Sequence, residues 1–324
     1  MKRTNKLFIA LFVAGSFSLL LGSCKKNDTT TNMNISLPQF EEELDGRAYI
    51  DINNSNSFKW NANDQVMVYN LDSEDGTQTL KAIYSTNASA EGQKSATFTG
   101  DDLGAKKDHF FVFYPVDKVE VGTDPLDVDN RETFEVPGEQ EYTLVKGTPT
   151  IDYAGMAMAC ETSKVSAFTL KHIFGALKVR LTGSGKVTSI VVEDNRFGLS
   201  GTASMKLHEV NMDRFTTLQN RFVSAANPYE DQSFMTDWNE YRQQLGFEAQ
   251  GAGKTMTLNC PSVQLSSSET IFLIGLRPGA LKYGFKVYVY TEGNNNPYVF
   301  ESDASWNYGI KAGVIKNLVI NMPE

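Results

Sequence analysis

The sequence predicts an all-β protein built from two tandem β-sandwich domains, with a short helical insertion in the second. Three observations lead there. Short runs of β-branched and aromatic residues recur along the chain, each set off from the next by Gly, Asn, Asp or Pro. Helical periodicity is confined to one stretch, so strands do not alternate with long amphipathic helices as a parallel α/β sheet requires. A chain of 324 residues is ample for a real core and suits one large or two ordinary domains.

Residues 1–23 read as an export signal. Lys2, Arg3 and Lys6 give a positive start, and Leu7 to Leu21 form an apolar run broken only by small residues. That run is too short for a comfortable membrane span. It stops at Leu21-Gly22-Ser23-Cys24, the lipobox pattern, in which the Cys24 thiol is acylated (palmitate or a similar chain) and becomes the mature N-terminus. Two or three acyl chains hold a protein on a bilayer far more firmly than one. The expected address is therefore the cell outer membrane, lipid-anchored through Cys24.

Residues 24–46 form a tether and a candidate propeptide strand. Lys25 to Asn32 are polar and have nothing to bury, as suits a flexible linker. Met33, Ile35 and Leu37 then alternate with Asn34 and Ser36, a period-two strand stopped by Pro38. An acidic connector (Glu41, Glu42, Glu43, Asp45) leads to Gly46-Arg47 and a second strand from Ala48 to Ile52.

Strands follow nearly throughout. They are expected at 66–69, 80–84, 96–98, 110–114, 133–136, 168–170, 176–181, 188–192, 255–258, 271–274, 285–290, 298–300 and 314–320. Gly183-Ser184-Gly185 marks the break between the halves, giving an N-terminal sandwich over 47–182 and a C-terminal one over 183–324. One helix is expected inside a polar stretch at 222–253. Phe234, Trp238, Tyr241 and Leu245 recur there at spacings of four, three and four, with Gly246 as a stop.

Charge and composition narrow the function. The formal charge is −9 and the signal holds three positive residues and no acids, so the mature chain carries −12. An acidic chain without a basic run is a poor partner for nucleic acid. Cys160 and Cys260, the cysteines left after lipidation, read as small hydrophobes, with a single disulfide as the open alternative.

Catalytic and cofactor motifs fail on inspection. Gly251-Ala252-Gly253-Lys254-Thr255 looks like the end of a phosphate loop, but Glu248 stands where a Gly is needed and a strand pattern follows. His109, His172 and His208 show no metal-ligand spacing. Asp124, Asp127, Asp129 and Glu132 lack the Gly of a calcium loop and read as a solvated acidic turn. No Gly-x-Ser-x-Gly elbow exists in the mature chain. The reading is of a non-enzyme without metal or cofactor.

One resemblance spans nearly all of 47–324. Phe58-Lys59-Trp60 followed by Asp64 to Asn70 resembles the opening of the Bacteroidetes fimbrillin-like proteins. Further matches come in order: Ala96-Thr97-Phe98-Thr99-Gly100, Phe113-Tyr114-Pro115, Val136-Pro137 with Gln140, Met156 to Ala159, Phe168 with His172, Gly175 to Val179, Gly201-Thr202 and Ala312-Gly313. Trp60, Phe98 and Tyr114 read as core or turn-packing aromatics.

The resemblance implies two transthyretin-like sandwiches in a subunit of fimbriae (pili) or related adhesive surface fibres, with other fimbrial subunits as partners. In that scheme a trypsin-like protease removes an N-terminal segment and subunits join by donor-strand exchange. Arg47 is the sole Arg between the lipobox and the first body strand, so the expected cut lies between Arg47 and Ala48. Val314 to Ile320 is either a donor strand or an ordinary final strand. Attachment to a host or bacterial surface ligand is compatible with such a subunit. The alternative is a surface glycan-binding lipoprotein that never polymerises, with Trp238, Tyr241 and Trp306 as candidate contacts.

Overall fold

The computed structural model describes residues 30–38, 41–43, 59–71, 80–103, 109–116, 119–120, 131–145, 147–151, 158–163, 167–196, 198–206, 211–224, 232, 235–237, 239, 253–302 and 309–323. The first elements are β1 (Thr30–Ser36), β2 (Glu41–Glu43), β3 (Gln65–Asn70), β4 (Leu80–Ser85), β5 (Ser95–Asp101) and β6 (Phe110–Tyr114). Short strands follow: β7 (Val119–Glu120), β8 (Arg131–Val136), β9 (Glu139–Glu141), β10 (Thr143–Val145), β11 (Thr148–Thr150), β12 (Met158–Thr162), β13 (Ala167–Thr169) and β14 (Lys171–His172). The rest comprises β15 (Gly175–Thr182), β16 (Lys186–Asp194), β17 (Gly201–Lys206), α1 (Met212–Ser224), β18 (Thr255–Gln264), β19 (Thr270–Leu276), β20 (Phe285–Thr291), β21 (Tyr298–Ser302) and β22 (Val314–Asn321). The protein is all-β with a minor helical part.

The first body is an eight-stranded sheet in the order β13-β1-β5-β4-β3-β6-β12-β14. Its end strands, β13 and β14, are neighbours in sequence, separated only by Leu170. The sheet therefore curls until its two ends meet, and the inner face encloses one core. Val66, Val68, Tyr84, Phe98, Phe110, Val112, Tyr114, Met158 and Leu170 fill it. In β5, buried Ala96 and Phe98 alternate with exposed Ser95, Thr97 and Thr99, as a strand wet on one face must. In β6 all five residues are buried, which explains its unbroken apolar run.

The second body is a two-layer sandwich. One layer runs β19-β15-β22-β2 and the other β21-β20-β16-β18-β9. Leu177, Val179 and Leu181 of β15 meet Ile190 and Val192 of β16 in its core, with Phe272, Phe285, Leu318 and Ile320. The expected division at 182/183 is corrected by this pairing. The Gly183-Ser184-Gly185 turn, with φ of +134° and +95° at its glycines, links β15 to β16. Those strands are the two layers of one core, so the turn lies inside the second body. The transition falls instead between His172 and Gly175, where the chain passes from β14 to β15.

Nor are the halves strictly tandem. β2 and β9 come from the N-terminal half of the chain yet edge the second body's two layers. The acidic connector expected at Glu41–Glu43 is itself a strand, paired parallel with β22. A third sheet, β17-β8-β7, likewise joins strands from both halves.

The described helix, α1, precedes the expected one. The Asn211 side chain caps it by accepting from the Arg214 amide at 2.8 Å, and Asp213 stands in its first turn. Met212, Phe215, Leu218 and Val223 form its buried stripe. Backbone at 232, 235–237 and 239 is also helical, inside the expected stretch. Helix α1 touches both bodies. Asp213 pairs with Lys171 of β14, and Lys282 donates from the second body to the Val223 carbonyl at 2.6 Å.

Candidate functional site

The feature with functional content is the seat of β1. This strand runs antiparallel to β5 over seven residue pairs, from Thr30 opposite Asp101 to Ser36 opposite Ser95. On its other flank it runs parallel to β13, with Asn34, Ile35 and Ser36 opposite Ala167, Phe168 and Thr169. The N-terminal segment thus occupies an internal place in the sheet.

Its alternation is the reason it fits. Met33 and Ile35 are fully buried and Leu37 nearly so, while Asn32 and Asn34 face outward. The two outward side chains join the neighbour strand: Thr97 Oγ1 donates to Asn34 Oδ1 and Thr99 Oγ1 to Asn32 Oδ1, each at 2.9 Å. The strand end is fixed by Leu37 N donating to Lys94 O at 2.9 Å and Leu170 N donating to Ser36 O at 3.0 Å.

An aromatic cradle underlies the seat. The Trp60 indole N–H donates to the Ile35 carbonyl at 3.1 Å in a buried contact. Phe98 and Tyr114 lie edge-on to Trp60, with centroids 4.8 and 5.3 Å away. Trp60 is itself pinned by its backbone, which donates to Gln93 O at 2.8 Å and accepts from Gly92 N at 2.9 Å. A Cβ on Gly100, opposite Thr31, would stand 2.4 Å from the Tyr84 ring, so that ring can lie under β5 only beside a glycine. These aromatics are packing residues, as the sequence suggested, and what they pack is the N-terminal strand.

Each buried apolar side chain of β1 is worth about 1.5–3 kcal/mol relative to exposure. The backbone groups of β5 and β13 would also need new partners if β1 left. The seat is therefore complementary to any strand that alternates apolar with polar residues, and to little else.

Several expected site residues lie outside the described residues: Cys24, Arg47 and Ala48 at the anchor and cut, and Trp238, Tyr241 and Trp306 of the glycan reading. Cys160 lies in the first core and Cys260 packs against the second; neither forms a disulfide. Burial, aided by Glu141, pushes the Cys260 thiol up to about 12. Among the described residues no group of three or more His, Cys, Asp or Glu could hold a metal ion. Gly253 and Lys254 lead directly into β18, a strand where a phosphate loop would open a helix. Among the described residues no helix is long and apolar enough to cross a membrane.

Sequence reasoning missed two structural links. Gln140 is buried, and its amide exchanges two hydrogen bonds with Gly275, Nε2 donating to the carbonyl at 2.7 Å and Oε1 accepting from N–H at 2.9 Å. Its β-strand setting was obscured by Pro137 and Gly138 just before it. The second is β2, whose three consecutive glutamates read as solvated connector.

No family model matches the chain, and no curated protein matches it. Among solved structures, the chain is similar to a proposed cell adhesion protein from Bacteroides ovatus at 11% identity and a TM-score of 0.45, covering 90% of this chain and 92% of that one. It is similar to a proposed cell adhesion protein from Bacteroides fragilis at 10% identity and a TM-score of 0.41, covering 90% and 93%. A fimbrial assembly protein from Parabacteroides distasonis is similar at 9% identity and a TM-score of 0.36, covering 90% and 91%.

Proposed function

We propose that this chain is a subunit of an adhesive surface fibre, a fimbrillin-like pilin that is exported, held at the outer membrane by lipid on Cys24, and assembled by donor-strand exchange. One observation carries the reading: the segment next to the lipobox is an internal strand of the first body. Loss of that strand would leave an apolar groove with unpaired backbone on both flanks, which an alternating strand from another subunit can fill.

In this reading β1 blocks assembly in the precursor. A cut between Arg47 and Ala48 severs its connection to the body, so that β1 leaves with the lipid. The groove between β5 and β13, floored by Trp60 and Phe98, then takes an alternating strand from a neighbouring subunit. β22 sits as an ordinary final strand in this form, with Leu318 and Ile320 in the second core.

Mass spectrometry of fibres sheared from cells tests the proposal, together with unboiled denaturing gels. The expected result is a mature N-terminus at Ala48 and a detergent-resistant ladder. Surface protein that begins only at acylated Cys24, with no ladder, would overturn it.

A further inference from the structure

The second body buries a lysine outside its core. Lys178 stands in the middle of β15 and is fully buried. Its chain neighbours Leu177 and Val179 point into the second core, so Lys178 points the other way, onto the outer face of the layer. That face is apolar and covered. Ala176, Leu273 and Ile315 are buried on it and pack together with Ile151, which follows β11. By register, Lys178 stands between Leu273 of β19 on one flank and Asn317 of β22 on the other.

β15 and β22 run parallel, from Ala176 opposite Ile315 to Thr182 opposite Asn321. Residues directly opposite one another share a face, and paired strands lie about 4.8 Å apart. Lys178 and Asn317 therefore leave the sheet side by side, and a four-carbon stem is long enough to bring the amine onto the neighbouring carboxamide. The oxygen of that carboxamide, Asn317 Oδ1, is buried as well. Further along the same ladder, opposite side chains do meet: Thr182 Oγ1 donates to Asn321 Oδ1 at 2.8 Å.

We propose that Lys178 and Asn317 join through an intramolecular amide (isopeptide) bond. Nζ of the neutral amine adds to Cγ of Asn317. The bond from Cγ to Nδ2 then breaks, and Nδ2 leaves as ammonia with a proton taken from Nζ. One C–N bond replaces another, so no oxidant, reductant or further reactant is consumed. Burial among apolar groups disfavours an ammonium and favours the amine, which is the nucleophilic form. Fixed placement on paired strands supplies a high effective concentration, and a covered face keeps out the water that would hydrolyse the intermediate. The bond ties the strand by which the chain enters the second body to the strand that ends it. It stands independently of the fibre reading.

Peptide mapping of the full chain by mass spectrometry tests the proposal. Trypsin cannot cut after an acylated lysine, so peptide 172–180 should appear joined to peptide 317–324. The joined species should weigh about 17 Da less than the two peptides together, the mass of the ammonia lost. Lys178→Arg and Asn317→Ala should each abolish it. The denatured parent, with its loop closed, should run ahead of both variants on a denaturing gel.

The decisive measurement is on the parent and needs no variant to fold. Separate peptides 172–178 and 317–324 in the parent, with no joined species, would overturn the bond. A joined species that survives Asn317→Ala would overturn Asn317 as the partner of Lys178. Neither result bears on the mature N-terminus or the ladder, so failure here is distinct from failure of the fibre reading.

Discussion

Gln140 enters the second body on β9, an edge strand of one layer, and closes a pair of hydrogen bonds with Gly275 in the other layer. Truncating it leaves a buried carbonyl and a buried N–H without partners, each costing about 1–3 kcal/mol. Gln140→Leu is therefore expected to lower the unfolding free energy by roughly 2–4 kcal/mol, read as a lower urea midpoint with the slope unchanged. His172 carries a pH prediction. It is buried where the bodies meet, opposite Met158 and beside Gly313, and burial lowers its pKa from 6.5 to about 3. The unfolded chain binds that proton near 6.5 and the folded chain only near 3, so between those values the unfolded state holds more protons. Stability from this residue is complete above 6.5 and declines as pH falls toward 3. A His172→Gln variant should show a flatter decline over that window in parallel melts at a series of pH values. At this scale the sequence revealed Trp60, Phe98 and Tyr114 as packing aromatics, because large apolar rings in strands are seldom anything else. Gln140 stayed hidden, because a polar side chain that completes a core looks the same in sequence as one that faces water.

The element with the clearest energetic signature is β1. Ile35→Ser removes a fully buried side chain from the centre of the first core, where large-to-small changes cost about 2–5 kcal/mol. The chain should melt lower in consequence; comparing variant and parent by calorimetry checks this. For α1, Lys282→Met removes the donor to the Val223 carbonyl. That change should loosen the helix end by roughly 1–3 kcal/mol, visible as faster exchange at 220–224. Strands with strong alternation or unbroken aromatic runs, such as β1, β5 and β6, were legible because burial on one or both faces dictates their pattern. β9 and β14 were missed, since strands of two or three residues hold too few positions to show a period. Helix α1 was not expected, although Asn211, Asp213 and the Met212-Phe215-Leu218 spacing carry its cap and stripe; Thr216 and Thr217 weaken its propensity.

The whole molecule is woven rather than strung. A fragment beginning at Gly183 would lose β15, β2 and β9, and with them Leu177, Val179 and Leu181 of the second core. It should fail to show cooperative unfolding, whereas the full chain should; a thermal melt of each decides the point. The boundary was placed at 182/183 because Gly183 and Gly185 have the composition of a linker, while sheet membership is fixed by pairing far along the chain. The double flanking of β1 in the first body has a mechanical consequence. β1 lies along β5 for seven residue pairs and is gripped on its other flank by β13. A tether pulling along that strand loads its hydrogen bonds in shear, all at once, instead of opening them one by one like a zipper. A strand seated in this groove would therefore resist tension until the whole row gives way together, held as firmly as a strand of a domain interior.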